Sequence, residues 1–225
     1  MRSSREPGGQ PSAADIPTHA PAVRRAGAAD RTEVARVLSS AFLDDPVFAW
    51  LVPDRDERTG RLPAVFDAFA EAYARHGESH VLTADEETPQ RLGGVALWAP
   101  PGAEPVHPED EERFGVRLVE ATGPHVERFA VCGELFAAVH PAEPSWYLGL
   151  LGVDADQRGR GLGSALLRDT LAVVDLARQP AYLEATSPRN RVLYERHGFR
   201  HLADVPLPGG PTAYAMWRDP AAASR

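Results

Sequence analysis

The chain has 225 residues, is 43% hydrophobic and carries a formal net charge of −8. This length and apolar content are sufficient for one buried core, so we expect a single domain. The negative charge argues against a nucleic-acid-binding protein, which needs a clustered basic surface, and it suits a cationic small-molecule substrate. No apolar run is long enough to cross a membrane, and a single cysteine excludes an intrachain disulfide, so we expect a cytoplasmic protein without membrane contact.

The N-terminal segment differs in composition from the rest of the chain. Residues 1–21 are rich in Pro, Gly, Ser and Ala and contain no apolar stretch of signal-peptide length. They predict a disordered tail, because so few apolar groups cannot offset the entropy of ordering. We expect the folded domain to span residues 22–220.

The first half of the domain predicts one strand and two helices. Residues 22–26 read as a strand, and Asp30 followed three residues later by Glu33 resembles a capping box that opens a helix. Pro46 ends this helix, because proline disfavours helical geometry in the residue before it. A second helical pattern runs from 62 to 73, with apolar residues on one face.

The middle of the chain predicts paired strands and a longer helical region. Residues 80–84 and 92–100 read as strands separated by a polar turn, and the helical region then extends to about Val139. Residues 145–153 are the most strand-like run in the chain. Their continuous apolarity predicts a central strand buried on both faces.

The last third alternates helices and strands. A helix is predicted at 162–177, a strand at 181–186 and a short helix at 187–197. Strands around 199–205 and 213–217 close the chain. The order of elements predicts an α/β fold with a mixed central sheet flanked by helices.

A glycine-rich loop precedes the helix at 162–177. Gly159, Gly161 and Gly163 form a G-x-G-x-G pattern. A dinucleotide fingerprint places its third glycine one residue later, and a nucleotide-hydrolase phosphate loop requires a lysine, which this chain lacks. Free peptide N–H groups at the helix start, with Arg158 and Arg160 nearby, favour an anion such as a pyrophosphate. The alternative is an ordinary strand-to-helix turn with solvated arginines.

Two motifs together resemble one enzyme family. The run Arg158–Gly163 is similar to the Q/R-x-x-G-x-G/A signature of the GNAT family of N-acetyltransferases, and the stretch 187–199 is similar to that family's second hallmark. The resemblance covers roughly the C-terminal third. It implies a mixed, twisted sheet that is splayed to admit acetyl-CoA, from which an acetyl group passes to a primary amine.

The resemblance also implies which residues bind the coenzyme. The glycine loop is expected to hold the pyrophosphate, and the preceding strand offers backbone groups to the pantetheine arm. The implied residues are Leu151, Gly152, Val153, Arg158, Gly159, Arg160, Gly161, Leu162, Gly163, Ser164 and Asn190.

Two side chains are candidates for proton transfer. Tyr194 lies four residues after Asn190, on the same face of the short helix, and the resemblance implies that its phenol meets the coenzyme sulfur as a general acid. The alternative is packing beside Phe199. Glu184 lies in an apolar strand, where a carboxylate is costly unless paired or functional, so we consider it the candidate base. It alternatively pairs with an arginine or orients Tyr147, and a water chain replaces a single base in many relatives.

The acidic chain favours a small cationic amine as acceptor, and the resemblance implies an aminonucleoside antibiotic as one example. Trp146, Tyr147 and Asp45 are candidates to contact it, although packing in the sheet and helix capping are alternative roles. No metal site is predicted, since His197 and His201 flank a glycine and share no helix face.

Two other functions remain open from the sequence. One is acetylation of a protein N-terminus or lysine, and the other is a non-catalytic acyl-CoA sensor that kept the loop without the chemistry. The sequence is compatible with either a monomer or a homodimer.

Overall fold

A computed structural model describes residues 22–76, 78–84, 88 and 90–220, and the predicted tail at 1–21 lies outside them. The strands are β1 (Val23–Arg25), β2 (Ser79–Thr83), β3 (Leu92–Ala99), β4 (Trp146–Val153), β5 (Ala181–Ala185), β6 (Arg200–Pro206) and β7 (Thr212–Arg218). The α-helices are α1 (Arg31–Phe42), α2 (Pro46–Leu51), α3 (Arg55–Ala74), α4 (Glu111–Thr122), α5 (Val126–Val139), α6 (Leu162–Leu176) and α7 (Pro188–Glu195).

The strands form one mixed sheet in the order β1-β2-β3-β4-β5-β7-β6. The parallel pair is β4 with β5, and their pairing joins Trp146–Leu148 to Ala181–Leu183 and then stops. β4 continues for five further residues, Gly149–Val153, whose edge towards β5 has no strand partner in the described chain. The mixed, splayed sheet predicted from the sequence is therefore confirmed.

The sheet separates two apolar cores. Helices α1, α2 and α3 pack on one face, and α6 packs on the other together with residues of α7. Because side chains alternate along a strand, Trp146 joins the core beneath α6, whereas Tyr147 packs against the core beneath α1 and α3. This alternation decides which residues of β4 face each layer.

Two helix starts near the later site are capped by side chains, and one of them, that of α2, was not predicted from the sequence. The Asp45 carboxylate accepts hydrogen bonds from the Val47 and Phe48 amides at 2.9 and 3.3 Å, so it caps α2. Ser187 accepts a hydrogen bond from the Asn190 amide at 3.2 Å and caps α7. Such caps satisfy N–H groups that a helix start otherwise leaves unpaired.

The predicted capping box at α1 is wrong. The Asp30 carboxylate accepts from the Gly27 amide at 2.7 Å, because a 3-10 turn begins before the helix. Glu33 instead pairs with Arg36 and accepts from the Leu92 amide at 3.2 Å. The two carboxylates therefore connect α1 to its surroundings rather than cap it reciprocally.

Two further expectations need correction. The helical region that ends at Val139 is divided by a 3-10 turn at Gly123–His125, and Gly123 has a positive φ of 56°. Full burial of β4 holds only in part, since Leu150 and Leu151 are half-buried. The physical reason is the divergence of β4 from β5, which opens a cavity beside these residues.

Candidate active site

The glycine loop leaves a run of peptide N–H groups without partners. Gly159 and Gly161 both have φ of +79°, a conformation that favours glycine, and Gly161 is the residue that opens α6. Among the described residues, no acceptor is found for the amides of residues 158–164. Several free amides at a helix start favour an anion. The loop has the chemistry that a pyrophosphate requires.

The two loop arginines add positive charge at the surface. Arg158 donates to the Ala41 carbonyl at 2.8 Å, and Arg160 donates to the Gln157 side chain. Both are exposed, and neither forms an ion pair with another described residue. Because neither guanidinium is held in a direct ion pair within the described residues, both remain available to an anionic ligand.

The loop is connected to the first helix through one carboxylate. Asp154 accepts hydrogen bonds from Arg36 at 2.5 Å and from the Ser40 hydroxyl at 2.7 Å. The Ala155 amide donates back to the Ser40 oxygen at 3.0 Å. Arg36 holds the pKa of Asp154 below its usual value even though burial opposes that shift. The carboxylate therefore stays ionised and ties the start of the loop to α1.

A cavity of about 760 Å³ opens where β4 and β5 diverge. Helices α1 to α5 and α7 complete its walls. Most of its lining is apolar, and its phenylalanines are Phe42, Phe48, Phe69, Phe114, Phe129 and Phe136. Its carboxylates are Glu104, Glu143 and Glu184, and no arginine of the described chain lines it. The cavity therefore combines an aromatic wall with acidic groups.

Glu184 brings a titratable carboxylate into this cavity. One oxygen accepts a hydrogen bond from the Tyr147 hydroxyl at 2.8 Å. The other oxygen is buried and has no partner among the residues that the structure describes. Burial raises the pKa of Glu184 to about 7, and hydrogen bonding from Tyr147 partly opposes this rise. A carboxylate with this pKa can accept a proton near neutral pH.

Tyr194 and Asn190 reach the same cavity from α7. The Tyr194 ring packs edge-on against Phe199, with centroids 6.0 Å apart. Tyr194 therefore packs beside Phe199, as the alternative interpretation expected, and also lines the cavity. Burial raises the pKa of the Tyr194 phenol, which therefore stays protonated. The Asn190 side chain donates to the Thr186 hydroxyl at 3.2 Å, beside the end of β5.

Two candidate acceptor residues lie outside the cavity lining. Trp146 is buried in the core beneath α6, because it points to the opposite face from Tyr147. The Asp45 carboxylate caps α2 and also accepts a hydrogen bond from Thr186. Tyr147 does line the cavity. Contact between an acceptor and Trp146 or Asp45 stays a prediction, whereas their packing and capping roles are observed.

The histidines near the loop have protein partners. His197 lies 3.1 Å from the Ser164 hydroxyl, and His201 lies 2.8 Å from Asp204. Within the described ranges, no three His, Cys, Asp or Glu side chains form a group that suits a metal ion. The Ser164 contact places a hydroxyl at the first turn of α6, next to the free amides.

Sequence reasoning missed Tyr73. It was expected only as part of the apolar face of its helix, yet its ring lines the cavity and its hydroxyl lies against Gly149. The helical spacing shows which face of α3 is buried. It does not show which strand that face crosses, so no local signal identified this contact.

The comparisons with known proteins agree with this geometry. Residues 125–201 match the family described as the acetyltransferase (GNAT) domain. A crystal structure from Corynebacterium glutamicum, described as histone acetyltransferase HPA2 and related acetyltransferase, is 33% identical. The match covers 92% of this chain and all of that one, with a TM-score of 0.71. The chain belongs to the GNAT acetyltransferase family.

More distant relatives share the fold. An uncharacterised N-acetyltransferase of Schizosaccharomyces pombe is 28% identical, and the match covers 83% of this chain and 77% of that protein. Arylalkylamine N-acetyltransferase 2 of Aedes aegypti is 15% identical with a TM-score of 0.61, over 88% of this chain and 98% of that one. The polyamine N-acetyltransferase of Drosophila melanogaster is 16% identical with a TM-score of 0.55, over 88% and 99%.

No helix of the described chain is long and apolar enough to cross a membrane. The longest of them, α3, has 20 residues but contains several charged side chains.

Proposed function

We propose that this protein transfers the acetyl group of acetyl-CoA to the primary amine of a small cationic molecule, by direct attack in a ternary complex. The observation that carries the proposal is the continuity of the site. An anion-binding loop follows β4, and the same strand borders a cavity that contains a carboxyl group and a phenol. A direct transfer needs these three features side by side.

The coenzyme has suitable partners along β4 and its loop. Acetyl-CoA supplies an activated acetyl thioester. The free amides of 158–164, with Arg158 and Arg160, suit its pyrophosphate. The unpaired edge Gly149–Val153 suits the amide groups of the pantetheine arm, since a strand edge offers both donors and acceptors. A backbone N–H of this edge is proposed to polarise the carbonyl.

Glu184 is proposed to act as the base. An amine that enters as an ammonium ion must lose a proton before it can attack, and a carboxylate with a pKa of about 7 accepts that proton directly or through water. General-base catalysis of this kind contributes about 10²- to 10⁴-fold. The hydrogen bond from the Tyr147 hydroxyl, 2.8 Å long, keeps the carboxylate oriented.

Tyr194 is proposed to stabilise the leaving thiolate. Its pKa is raised above that of an ordinary phenol, so complete early proton transfer to a thiolate is energetically uphill. Hydrogen-bond donation during cleavage of the carbon–sulfur bond is the role that this pKa favours. The proton then passes to sulfur as the thiol leaves.

The lining of the cavity supports an acceptor with an apolar body and a cationic head. Phenylalanines favour an aromatic or aliphatic body, and the three carboxylates favour one positive charge. Segments such as EPSWYLGLLGV and YLEATSPRN also resemble puromycin N-acetyltransferase. An aminonucleoside is therefore our specific example of the acceptor. Arylalkylamines and polyamines are the substrates for which structural neighbours are named.

A second candidate is acetylation of a protein amine. The description of the Corynebacterium glutamicum structure as a histone acetyltransferase favours it. A peptide acceptor needs an open groove, whereas the cavity here is walled by α1 to α5, so we rank the small amine first. A non-catalytic sensor would bind acetyl-CoA without turnover.

The test is thiol release from acetyl-CoA by purified protein with puromycin, an arylalkylamine, agmatine and a histone peptide. We expect turnover with at least one small amine and a fall of about 100-fold in Tyr194→Phe. Tyr214→Phe is the matched control, because it removes a phenol outside the cavity lining. Turnover with the peptide alone would favour the second candidate, and coenzyme binding without turnover would favour the sensor.

A further inference from the structure

Tyr73 places a phenol in the cavity that the proposed mechanism does not use. Its side chain is 2% exposed and belongs to the core beneath α3, but it also lines the cavity. No described residue forms a hydrogen bond with its hydroxyl. The hydroxyl is not among the fully buried, unpaired side-chain atoms of the described chain, so it opens on the cavity. A hydroxyl that faces a cavity is available as a donor to a ligand atom.

The hydroxyl lies over a glycine. A Cβ atom built on Gly149 would lie 1.9 Å from the Tyr73 oxygen, so any side chain at this position would displace the phenol. Gly149 lies at an irregularity of β4, since Leu97 pairs with Leu150 and Trp98 pairs with Leu148. An extra residue of this kind is unpaired in the ladder and redirects the strand locally. The Tyr73 phenol therefore contacts β4 at Gly149, where the strand is irregular and its backbone is not paired with β3.

Gly149 also marks the position where β4 and β5 begin to diverge. Pairing of β4 with β5 ends at Leu148, so Gly149 is the first residue of the unpaired edge. The following step rests on the proposed function. A coenzyme with its pyrophosphate at 158–164 and its arm along this edge carries its thioester towards Gly149. Glu184 directly follows Leu183, the partner of Leu148, and both Glu184 and Tyr194 line the cavity.

We propose that Tyr73 is a further catalytic residue, whose phenol donates a hydrogen bond to the carbonyl oxygen of the acetyl thioester. When the amine nitrogen bonds to the carbonyl carbon, the carbonyl π electrons move onto this oxygen. They return when the carbon–sulfur bond breaks, and the electron pair of that bond leaves with sulfur. The Tyr73 proton stays on its phenol throughout. The hydrogen bond strengthens as the oxygen becomes negative, so it lowers the barrier.

The surroundings keep this phenol in the donor form. Burial raises the pKa of Tyr73, and the negative charge of Glu184 raises it further. A protonated phenol in an apolar wall is a preorganised donor, because little reorganisation is needed as charge develops. The ring is held by the core beneath α3, which fixes the direction of the hydroxyl.

The test compares Tyr73→Phe with wild type at saturating acetyl-CoA and amine. Loss of one donor to a developing oxyanion typically costs 10²- to 10³-fold in kcat, so we expect a fall of about 100-fold. The KM of each substrate should change by less than about twofold, because the bond forms mainly in the transition state. Tyr214→Phe should match wild type.

Two results would overturn the proposal. An unchanged kcat would leave Tyr73 as a packing residue, and a raised amine KM with unchanged kcat would make it a ground-state contact to the acceptor. If Tyr73→Phe does not fold, 3-fluorotyrosine at position 73 keeps ring and hydroxyl, and kcat should then change with phenol acidity. Absence of turnover in wild type would refute the proposed function itself, which separates the two failures.

Discussion

The two halves of the site are built in different ways. At the end proposed to bind the coenzyme, the groups are backbone amides and closely spaced residues between β4 and α7, from 146 to 195. At the end proposed to bind the acceptor, the wall consists of side chains from helices between 31 and 139, brought together by packing. A local chain segment can encode the first kind of site. The second kind depends on how several helices cross the sheet.

The halves meet on β4. Asp154, just after the strand, binds Arg36 and Ser40 of α1, and Gly149 lies against Tyr73 of α3. These contacts join the coenzyme loop to the acceptor wall. Substitutions at the coenzyme end should therefore change the KM for acetyl-CoA, and substitutions in the acceptor wall should change the KM for the amine. Substitutions along β4, where the two halves meet, should change the rate with every acceptor.

The largest effect is expected for Glu184→Gln. Loss of the base should lower kcat/KM by about 10²- to 10⁴-fold for every amine. The wild-type profile should lose activity below pH of about 7, where the carboxyl becomes protonated, and this limb should vanish in the variant. Tyr147→Phe removes a bond that lowers the pKa of Glu184, so its acid limb should move to higher pH. If Glu184→Gln kept the pH profile of the wild-type kcat/KM, the ammonium proton would pass to a water chain and not to Glu184.

The same substitution should alter stability in a pH-dependent way. The folded pKa of Glu184 lies near 7 against an ordinary value of 4.5, so the folded state binds more protons between these values. Wild type therefore loses free energy of unfolding as pH rises from 4.5 to 7, by up to about 3 kcal/mol, and the variant does not. Urea unfolding of both proteins at pH 5 and pH 8 measures this difference. The same pH dependence of the free energy of unfolding in both proteins would contradict a raised pKa of Glu184 in the folded state.

A smaller effect is expected at the coenzyme loop. Gly161→Val places a branched side chain at φ of +79°, which costs at least about 1–2 kcal/mol and distorts the amides. The KM for acetyl-CoA should rise about tenfold with every acceptor, while the amine KM stays constant. Gly209→Val is a matched control, since Gly209 has φ of +63° in the turn between β6 and β7. Equal effects in both variants would show general backbone strain only.

The smallest effect is expected at the acceptor wall. Phe136 is half-buried and lines the cavity, so Phe136→Ala should cost about 1 kcal/mol of apolar contact and raise the amine KM roughly fivefold. The KM for acetyl-CoA should not change. Val116→Ala on the exposed face of α4 should match wild type, because Val116 is 55% exposed. A changed acetyl-CoA KM in Phe136→Ala would contradict the division of the site.

The same division explains what could be predicted from the sequence. Gly159, Gly161, Asn190 and Tyr194 could be proposed as site residues because their spacing within a short segment is itself the signal. The burial of Glu184 followed from a charge within an apolar strand. Tyr73 was missed, since its contact with Gly149, on which its proposed role rests, arises only when α3 crosses β4.

The acceptor wall shows the same limit. Phe114 and Phe136 were recognisable as apolar helical residues, but their convergence on one cavity with Glu184 depends on the packing of α4 and α5. Trp146 and Tyr147 are adjacent in sequence and point to opposite faces, so their different environments follow from the phase of the strand. Short-range sequence patterns predict individual helices, strands and motifs. A cavity wall built by several helices can be identified only from the tertiary structure.

The most direct test of the proposed function is a crystal structure of the protein with coenzyme A and an amine acceptor. We expect a diphosphate bound by the amides of 158–164, an arm along Gly149–Val153, and a sulfur beside Tyr194 with the amine towards Glu184. A coenzyme bound outside the gap between β4 and β5, or an amine bound away from the phenylalanine-lined cavity, would contradict it.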